Sequence, residues 1–381
     1  MVSIGFVYFC SVIKNNYELQ NDGTMKNILS KRTFIVLPLF LFSLHPLWGQ
    51  KSNFKNDICI PGKLYMLSDM RNDVFVEALT KRWRPYNNFV RFSGDCVYSR
   101  KLNRVASVDT PVDGSNMKIE LVNSDEFEII KEKAISICVG KKGIGTQEVT
   151  VQILGDSFVN GAFFRDALLS KNYIPGIKLV GLRNIKNEEG QYDEGRGGWT
   201  VKKYFEIPKG EMTSYHGYMQ PVGEYRYWGS CEFWKNCYKV INGELTDTEI
   251  VYNCGRYDQC ITKFDKETGY LAAPKKNDLM YDNARGSYMV YTGKKWKNVE
   301  VDERKWAFNY RKYLDMWNLD APKFFAQMLG LNDYRDSLTA DYREWNKKIA
   351  EMKESYYKAV PDGKFIILIP CTTCGSLNNI R

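Results

Sequence analysis

The run from Val149 to Phe158 constrains the fold of this chain more than any other segment. It reads Val-Thr-Val-Gln-Ile-Leu-Gly-Asp-Ser-Phe, so a β-branched, apolar strand passes directly into Gly155, Asp156 and Ser157. In an open α/β sheet, ligands bind at the edge formed by the carboxyl ends of the strands. A serine hydroxyl that a glycine turn delivers to that edge is a candidate nucleophile. The alternative is a serine that only caps the following helix.

From residue 148 onward the sequence alternates strands and helices, a pattern typical of a parallel α/β sheet. Residues 149–154 predict a buried strand, residues 158–170 a helix and residues 177–182 a second strand. The later elements are a strand over 323–329, an amphipathic helix over about 338–359 and a strand over 364–369. We therefore predict an α/β domain over residues 148–381.

Two further loops follow strands of this domain. Residues 193–200 read Asp-Glu-Gly-Arg-Gly-Gly-Trp-Thr after the second strand, and residues 329–333 read Leu-Gly-Leu-Asn-Asp after the third. Because the carboxyl ends of parallel strands share one edge, we expect both loops to lie beside Ser157. Taken singly, the glycines indicate no more than a turn and the asparagine no more than a turn or a helix cap.

The rest of the chain divides into segments of different character. Residues 51–147 contain short alternating strands separated by Asp, Gly, Asn and Pro, which predicts a small all-β domain resembling a sandwich. Residues 140–145 are rich in glycine and lysine and read as a linker. Residues 206–300 are rich in turns and aromatic residues, and we interpret them as an insert within the α/β domain.

The N-terminal region predicts export. Residues 25–50 have a basic start, an apolar run and an exit of small and polar residues, the pattern of a signal peptide. Residues 1–24 then precede the natural start, and the mature chain begins near Gln50 or Lys51. An uncleaved signal anchor is the alternative interpretation. Export places the protein in the periplasm or outside the cell.

An oxidising compartment favours disulfides among the cysteines. Cys231 and Cys237, and then Cys254 and Cys260, have the same spacing within the insert, which predicts disulfides there. A zinc site is the competing interpretation, but no histidine lies among them. The pair Cys371 and Cys374 reads as structural rather than redox-active. Nine cysteines remain after the signal peptide, and that odd number indicates a missing partner.

Composition excludes several classes of function. The net charge of +9 is spread along the chain without a long basic block, so we expect no nucleic-acid partner. No phosphate-binding or dinucleotide-binding glycine motif and no cluster of histidines and carboxylates is present, so the sequence predicts neither a cofactor nor a metal.

The three loops together resemble the SGNH, or GDSL-type, hydrolases. The Gly-Asp-Ser block, the Glu-Gly-x-Gly-Gly-Trp-Thr block and the Gly-x-Asn-Asp block occur in that family's order over residues 148–381. The upstream β domain also resembles the leading module of some exported members. The resemblance implies a three-layer, flavodoxin-like domain with a parallel sheet, and an ester hydrolase that removes acyl groups such as acetyl from carbohydrates or other small esters.

The resemblance also implies roles for individual residues. Ser157 would be the nucleophile, and its own N–H would be one donor to the oxyanion. Gly198 would supply a second backbone N–H, with Gly197 as the neighbouring candidate, and the side-chain amide of Asn332 would supply a third. The supporting residues of the blocks are Asp156, Gly197, Gly330 and Asp333.

The family's last block, Asp-x-x-His, has no counterpart here. His45 lies in the predicted signal peptide, and His216 lies in the insert, where we expect a surface or sugar-contacting histidine rather than a base. The missing block, the odd cysteine count and the absence of sequence to cover the last strand predict a C-terminally truncated chain that is nearly inactive as written. The alternative is a non-catalytic glycan-binding pseudoenzyme; a lipase is less favoured because no apolar lid is evident.

Overall fold

The structure is a computed structural model that describes most of the chain after residue 57. The described residues are 58, 60, 62–68, 71–75, 88–95, 97–100, 105–140, 148–161, 163–170, 176–183, 192–210, 215–248, 250–251, 258–334 and 342–368. The predicted upstream extension and signal peptide lie outside them, as do Cys59, Cys96, Cys254, Cys371 and Cys374. Two compact units divide near Gly140, where the predicted linker begins.

The described residues before Gly140 form strands and turns. A four-stranded sheet has the order β1-β7-β6-β3, and a three-stranded sheet has the order β2-β5-β4. The strands are β1 Lys63–Leu67, β2 Asn72–Phe75, β3 Asn88–Gly94, β4 Val97–Arg100, β5 Val105–Val108, β6 Asn116–Asn123 and β7 Ile129–Gly140. The β3–β6, β6–β7, β2–β5 and β4–β5 pairs are antiparallel, and apolar residues of β6 and β7 are buried.

A parallel sheet forms the centre of the second unit. Its strands are β8 Val149–Gly155, β9 Ile177–Val180, β10 Glu194–Gly195, β17 Phe324–Met328 and β18 Lys364–Ile367. Strand β8 pairs with β17 on one side, and β17 pairs with β18. On its other side β8 pairs first with β9 and then, at its carboxyl end, with β10. Residues 151–155 of β8 are all buried. A strand that is covered on both faces needs a continuous apolar sequence, which the β-branched run supplies.

The helices of this unit differ in part from the sequence prediction. They are α1 Ser157–Asn160, α2 Phe163–Ser170, α3 Cys231–Ile241, α4 Asp258–Ile261, α5 Tyr310–Trp317, α6 Leu331–Tyr334 and α7 Arg343–Ala359, with 3-10 turns at Lys202–Phe205 and Glu303–Lys305. The continuous helix expected over 158–170 is two helices, of which α1 has Gly161 as its C-cap and α2 begins at Phe163. No helix in the described part of the chain is long and apolar enough to cross a membrane.

The insert has its own sheets and an aromatic core. The strands of the insert are β11 Met219–Pro221, β12 Arg226–Ser230, β13 Asp278–Asp282, β14 Ser287–Tyr291 and β15 Trp296–Val299. Strand β16, Trp306–Phe308, follows the insert where the chain returns to the α/β domain. Strand β11 pairs with β16, and β12-β13-β14-β15 form a four-stranded sheet. Trp234 stacks on Phe264 with ring centroids 3.9 Å apart, and Tyr218 stacks on Tyr313 at 4.3 Å.

The three cysteines of the insert that the structure describes belong to this core. Cys231, Cys237 and Cys260 are all buried, and no disulfide joins two of the cysteines that the structure describes. Burial raises the pKa of the Cys231 thiol to about 12, so this side chain behaves as a small apolar group. Packing of large rings therefore holds together the described part of the insert, and the pairing with Cys254 stays a prediction.

Candidate functional site

Ser157 lies where the sequence predicts, at the carboxyl end of β8. It is exposed, and it is the first residue of α1. Asp156 caps the helix, because its Oδ1 accepts the Phe158 N–H at 3.0 Å. Gly155 allows the turn to approach β17: a Cβ at this position would lie 2.8 Å from Met328 O. The strand therefore delivers an exposed hydroxyl to the sheet edge, and Asp156, not the serine, is the helix cap.

The second loop forms a tight turn beside this edge. The Trp199 N–H donates to Arg196 O at 3.2 Å, and Gly198 has a φ of 72° in the left-handed region that glycine adopts readily. Gly197 is buried, whereas Gly198 is exposed and a Cβ there would meet nothing within 4 Å. The Arg196 N–H donates to Gly155 O at 2.9 Å. The turn is thereby bound to the loop that carries Ser157.

The third loop is tied to both of the others. Asn332 Nδ2 donates to Trp199 O at 3.0 Å and lies 3.5 Å from Asp156 Oδ2. The Asp333 carboxylate accepts the Val201 N–H at 3.0 Å and 3.2 Å. Gly330, with a φ of 128°, precedes helix α6. The blocks that are separate in sequence thus meet around Ser157, Gly198 and Asn332.

The pKa of the Asp156 carboxyl is unusually high for a helix cap. It is fully buried, and burial together with the nearby charge of Asp333 raises its pKa to about 6, against the opposing hydrogen bond from Phe158. Burial also raises the pKa of Asp333. The site therefore holds two adjacent carboxyls that resist ionisation.

Replacing Asp156 by asparagine should change how stability depends on pH. Since the folded-state pKa of Asp156 exceeds the usual 3.8, its contribution to stability is complete below about pH 4 and is lost as the pH rises through about 6. A shift of this size corresponds to about 3 kcal/mol. We expect Asp156→Asn to remove that loss, measured by urea denaturation from pH 4 to pH 7.

Asp247 offers a matched control for this prediction. It is exposed and accepts the Ile250 N–H at 3.1 Å, so Asp247→Asn makes the same chemical change at another backbone-bonded carboxylate. Its pH profile should follow that of the parent protein. If the Asp156→Asn profile also ran parallel to the parent's, the role assigned to burial of Asp156 would be wrong.

A buried polar network that the sequence did not predict lies beneath the second loop. Glu194 Oε1 accepts the Leu182 N–H at 2.7 Å and the Tyr313 hydroxyl at 2.6 Å, and Glu194 Oε2 accepts Arg196 Nη1 at 2.7 Å. Tyr313 in turn accepts Gln152 Nε2 at 3.0 Å. Glu194, Arg196 and Gln152 are all buried. The network joins the loop to the sheet and to helix α5.

Tyr204 also holds the second loop, through contacts of its hydroxyl and of its ring. Its hydroxyl lies 2.8 Å from Gly155 O and 2.6 Å from Glu194 O, and its ring packs 4.9 Å from the Trp199 ring. Burial holds the pKa of Tyr204 well above its usual range, so the hydroxyl stays protonated as a donor. The Glu-Gly-Arg sequence around Gly195 was the one signal for this network, and nothing in the sequence pointed to Tyr204 or Tyr313.

His216 is a core residue, contrary to the expectation of a surface or sugar-contacting histidine. Its Nδ1 accepts the Tyr218 N–H at 3.2 Å, and its Nε2 lies 3.0 Å from Glu206 O. It packs edge-on against Trp199, with centroids 5.8 Å apart. Burial, with help from the Arg196 charge, lowers the pKa of His216 to about 3. Backbone groups occupy both ring nitrogens, so His216 cannot take a proton from Ser157.

The described residues contain neither a second histidine nor a cluster of His, Cys, Asp and Glu that could hold a metal ion. The sequence has two histidines in all, and the other, His45, lies in the predicted signal peptide. The site thus combines an exposed serine and candidate oxyanion donors without a histidine base.

Comparisons with known proteins leave the family open. No family model matches the chain, and no curated protein matches it at a significant level. Among solved structures, a putative alpha-galactosidase from Bacteroides fragilis is 14% identical with a TM-score of 0.20, over 39% of this chain and 34% of that one. A putative alpha-galactosidase/melibiase from the same organism is 10% identical with a TM-score of 0.21, over 82% and 52%. The chain thus spans about a third of the length of the first protein and about half of the length of the second. Neither likeness defines its fold or activity.

Proposed function

We propose that this protein is a serine ester hydrolase of the SGNH type that acts on acylated carbohydrates, with Ser157 as its nucleophile. The observation that carries the proposal is the set of hydrogen bonds joining the three loops. Arg196 N–H binds Gly155 O, and Asn332 Nδ2 binds Trp199 O, so the turn and the amide are fixed beside the serine. A three-part arrangement of this kind suits acyl transfer.

Each donor has a physical reason to be available to an oxyanion. The Ser157 N–H lies in the first turn of α1, where backbone N–H groups have no acceptor within the helix. Gly198 leaves open space for a substrate. Of the two amide protons of Asn332, Trp199 O engages one at 3.0 Å, whereas the 3.5 Å approach to Asp156 holds the other weakly. That second proton is the one left to donate to the carbonyl oxygen of an ester.

The acyl transfer step also needs a base, because the serine must lose its proton as it attacks the carbonyl carbon. His216 is unable to serve, and the sequence offers no other histidine outside the predicted signal peptide. An added small base should therefore stand in for the missing group.

Rescue by imidazole tests the proposal directly. In p-nitrophenyl acetate hydrolysis, imidazole should accelerate the parent protein beyond its effect on Ser157→Ala at the same concentration. Mass spectrometry should find an acetyl group on Ser157. Asn332→Ala should lower the Ser157-dependent rate by about a hundredfold or more, since it removes one oxyanion donor.

Two results bear on the alternatives. If Ser157→Ala matched the parent protein at every imidazole concentration, the hydrolase proposal would be wrong. Binding to a glycan array that survives Ser157→Ala would then favour the non-catalytic glycan-binding protein, for which the specific observation is the lack of a histidine base among the described residues.

A further inference from the structure

The insert carries a basic surface that shares no residue with the candidate site around Ser157. Lys275 and Lys276 precede strand β13, and Lys294 and Lys295 lie in the turn between β14 and β15. All four are exposed, and no acidic side chain in the described part of the chain forms an ion pair with any of them. We call these four lysines, with Tyr291 and Trp296, the lysine-aromatic surface.

The two lysine-bearing loops are neighbours in space. The Asn277 N–H donates to Tyr291 O at 2.9 Å, and a Cβ on Gly293 would lie 3.9 Å from the Lys276 Cβ. The turn between β14 and β15 is closed by Thr292, whose N–H donates to Lys295 O at 3.0 Å. The loops are thus fixed side by side, so four positive charges are concentrated at one end of the sheet.

An aromatic platform adjoins these charges. Trp296 and Tyr291 are directly opposite each other on β15 and β14, so their side chains share a face, and their ring centroids are 5.4 Å apart. Tyr270 packs on Trp296 at 4.9 Å. The three rings are only half-buried. Flat, partly exposed rings of this kind offer an apolar surface on which a sugar ring can stack.

The neighbouring groups distinguish between kinds of polyanion. Arginine dominates phosphate and base recognition because its planar fork binds two acceptors at once. The adjacent arginine, Arg226, is already occupied: its Nε binds Asp278 at 2.8 Å and its Nη2 binds Lys276 O at 3.0 Å. The cations left for a ligand are lysines, which act as point charges and have no planar fork to match a phosphate with two parallel hydrogen bonds.

We propose that the lysine-aromatic surface binds an acidic polysaccharide, with its carboxylates on the four lysines and a sugar ring against Trp296. The surface holds the polymer without reacting with it. It gives the insert a function of its own, separate from the chemistry at Ser157.

Binding to polygalacturonate, measured by calorimetry at low salt and again at higher salt, tests the proposal. The parent protein should bind with an affinity that falls as salt rises, and Lys276→Glu/Lys294→Glu should weaken binding by about tenfold or more. Trp296→Ala should weaken it by about fivefold without changing the salt dependence, because it removes stacking and not charge.

Lys297 and Lys347 provide the matched control. Lys297 lies next to Trp296 but points to the opposite face of the sheet, and Lys347 is an exposed residue of α7. Lys297→Glu/Lys347→Glu changes the net charge equally and should keep the parent's affinity within about twofold. Ser157→Ala should also bind as the parent does, which keeps this test separate from that of the hydrolase.

Three outcomes would overturn the proposal. The first is a parent protein that does not bind polygalacturonate. The second is equal loss of binding in the control pair, which would reduce the effect to net charge. The third is equally tight binding of single-stranded DNA or of vesicles containing anionic lipid, either of which would assign the surface to another class of partner.

Discussion

Glu194→Gln should lower the free energy of unfolding by about 3 to 5 kcal/mol, the cost of removing one partner from a buried ion pair. Glu194 and Arg196 have side-chain exposures of 0% and 1%, and their closest atoms are 2.7 Å apart. Glutamine keeps the size of the side chain, but it brings an amide donor among groups that already donate: Leu182 N–H, the Tyr313 hydroxyl and Arg196 Nη1. The Arg196 charge would then be buried without compensation.

The loss can be measured by urea denaturation followed through tryptophan fluorescence, because seven of the nine tryptophans lie at or after Trp199. Glu303 gives a matched control, since it also binds a lysine and a tyrosine hydroxyl, both at 2.8 Å, but is 41% exposed. Glu303→Gln should cost no more than about 1 kcal/mol. Equal stabilities of the Glu194 and Glu303 variants would contradict the prediction.

A double variant separates the buried charge from the rest of the network. If uncompensated Arg196 causes the loss, Glu194→Gln/Arg196→Met should be less destabilised than the sum of the two single variants. Simple additivity would assign the loss to packing instead.

Gly195→Ala should damage the candidate site more than any other single methyl group. A Cβ on Gly195 would lie 2.6 Å from the Val159 carbonyl carbon and closer still to Asn160 N, both backbone atoms of α1. Backbone has no rotamer by which to move aside, so α1 must shift, and Ser157 is its first residue. A displacement of about 1 Å can cost a hundredfold in rate, and we expect a loss of that order in imidazole-rescued, Ser157-dependent hydrolysis.

Gly62→Ala is the control, because Gly62 has no atom within 4 Å of an added Cβ and no left-handed φ. It should leave both rate and stability close to those of the parent. A Gly195→Ala protein with parental hydrolysis would show that α1 does not need its contact with β10 to present the serine.

The sequence predicted those parts of the site that depend on local patterns. The β-branched, apolar run before Gly155 and Ser157 predicted a strand and a turn, and the glycines of residues 197–198 predicted a second turn. The polar network was beyond such reasoning, because the Glu194–Tyr313 bond joins residues 119 positions apart and the Gln152–Tyr313 bond joins residues 161 apart. Only the folded chain brings these side chains together.

The burial of His216 is a second feature that local sequence patterns did not predict. In sequence it is a histidine among polar and aromatic neighbours, which favours exposure. In the fold, rings from the second loop and the insert surround it, including Trp199, Tyr204 and Tyr218. Its burial depends on long-range packing, which no short pattern encodes. The hypothesis that it is not the base stays a prediction, and the hydrogen bonds at both ring nitrogens are a physical reason in its favour.

Strand β10 has a consequence for the motions of this protein. Only Glu194 and Gly195 pair with β8, whereas four residues of β9 and five of β17 do so. So short a ladder stores little cooperative stability, and the loop after it is held by individual hydrogen bonds of Arg196, Tyr204, Asn332 and Asp333 rather than by a strand ladder. Local opening of that loop need not wait for the sheet to unfold, so its amides belong to a faster-exchanging unit than those of β8 and β17.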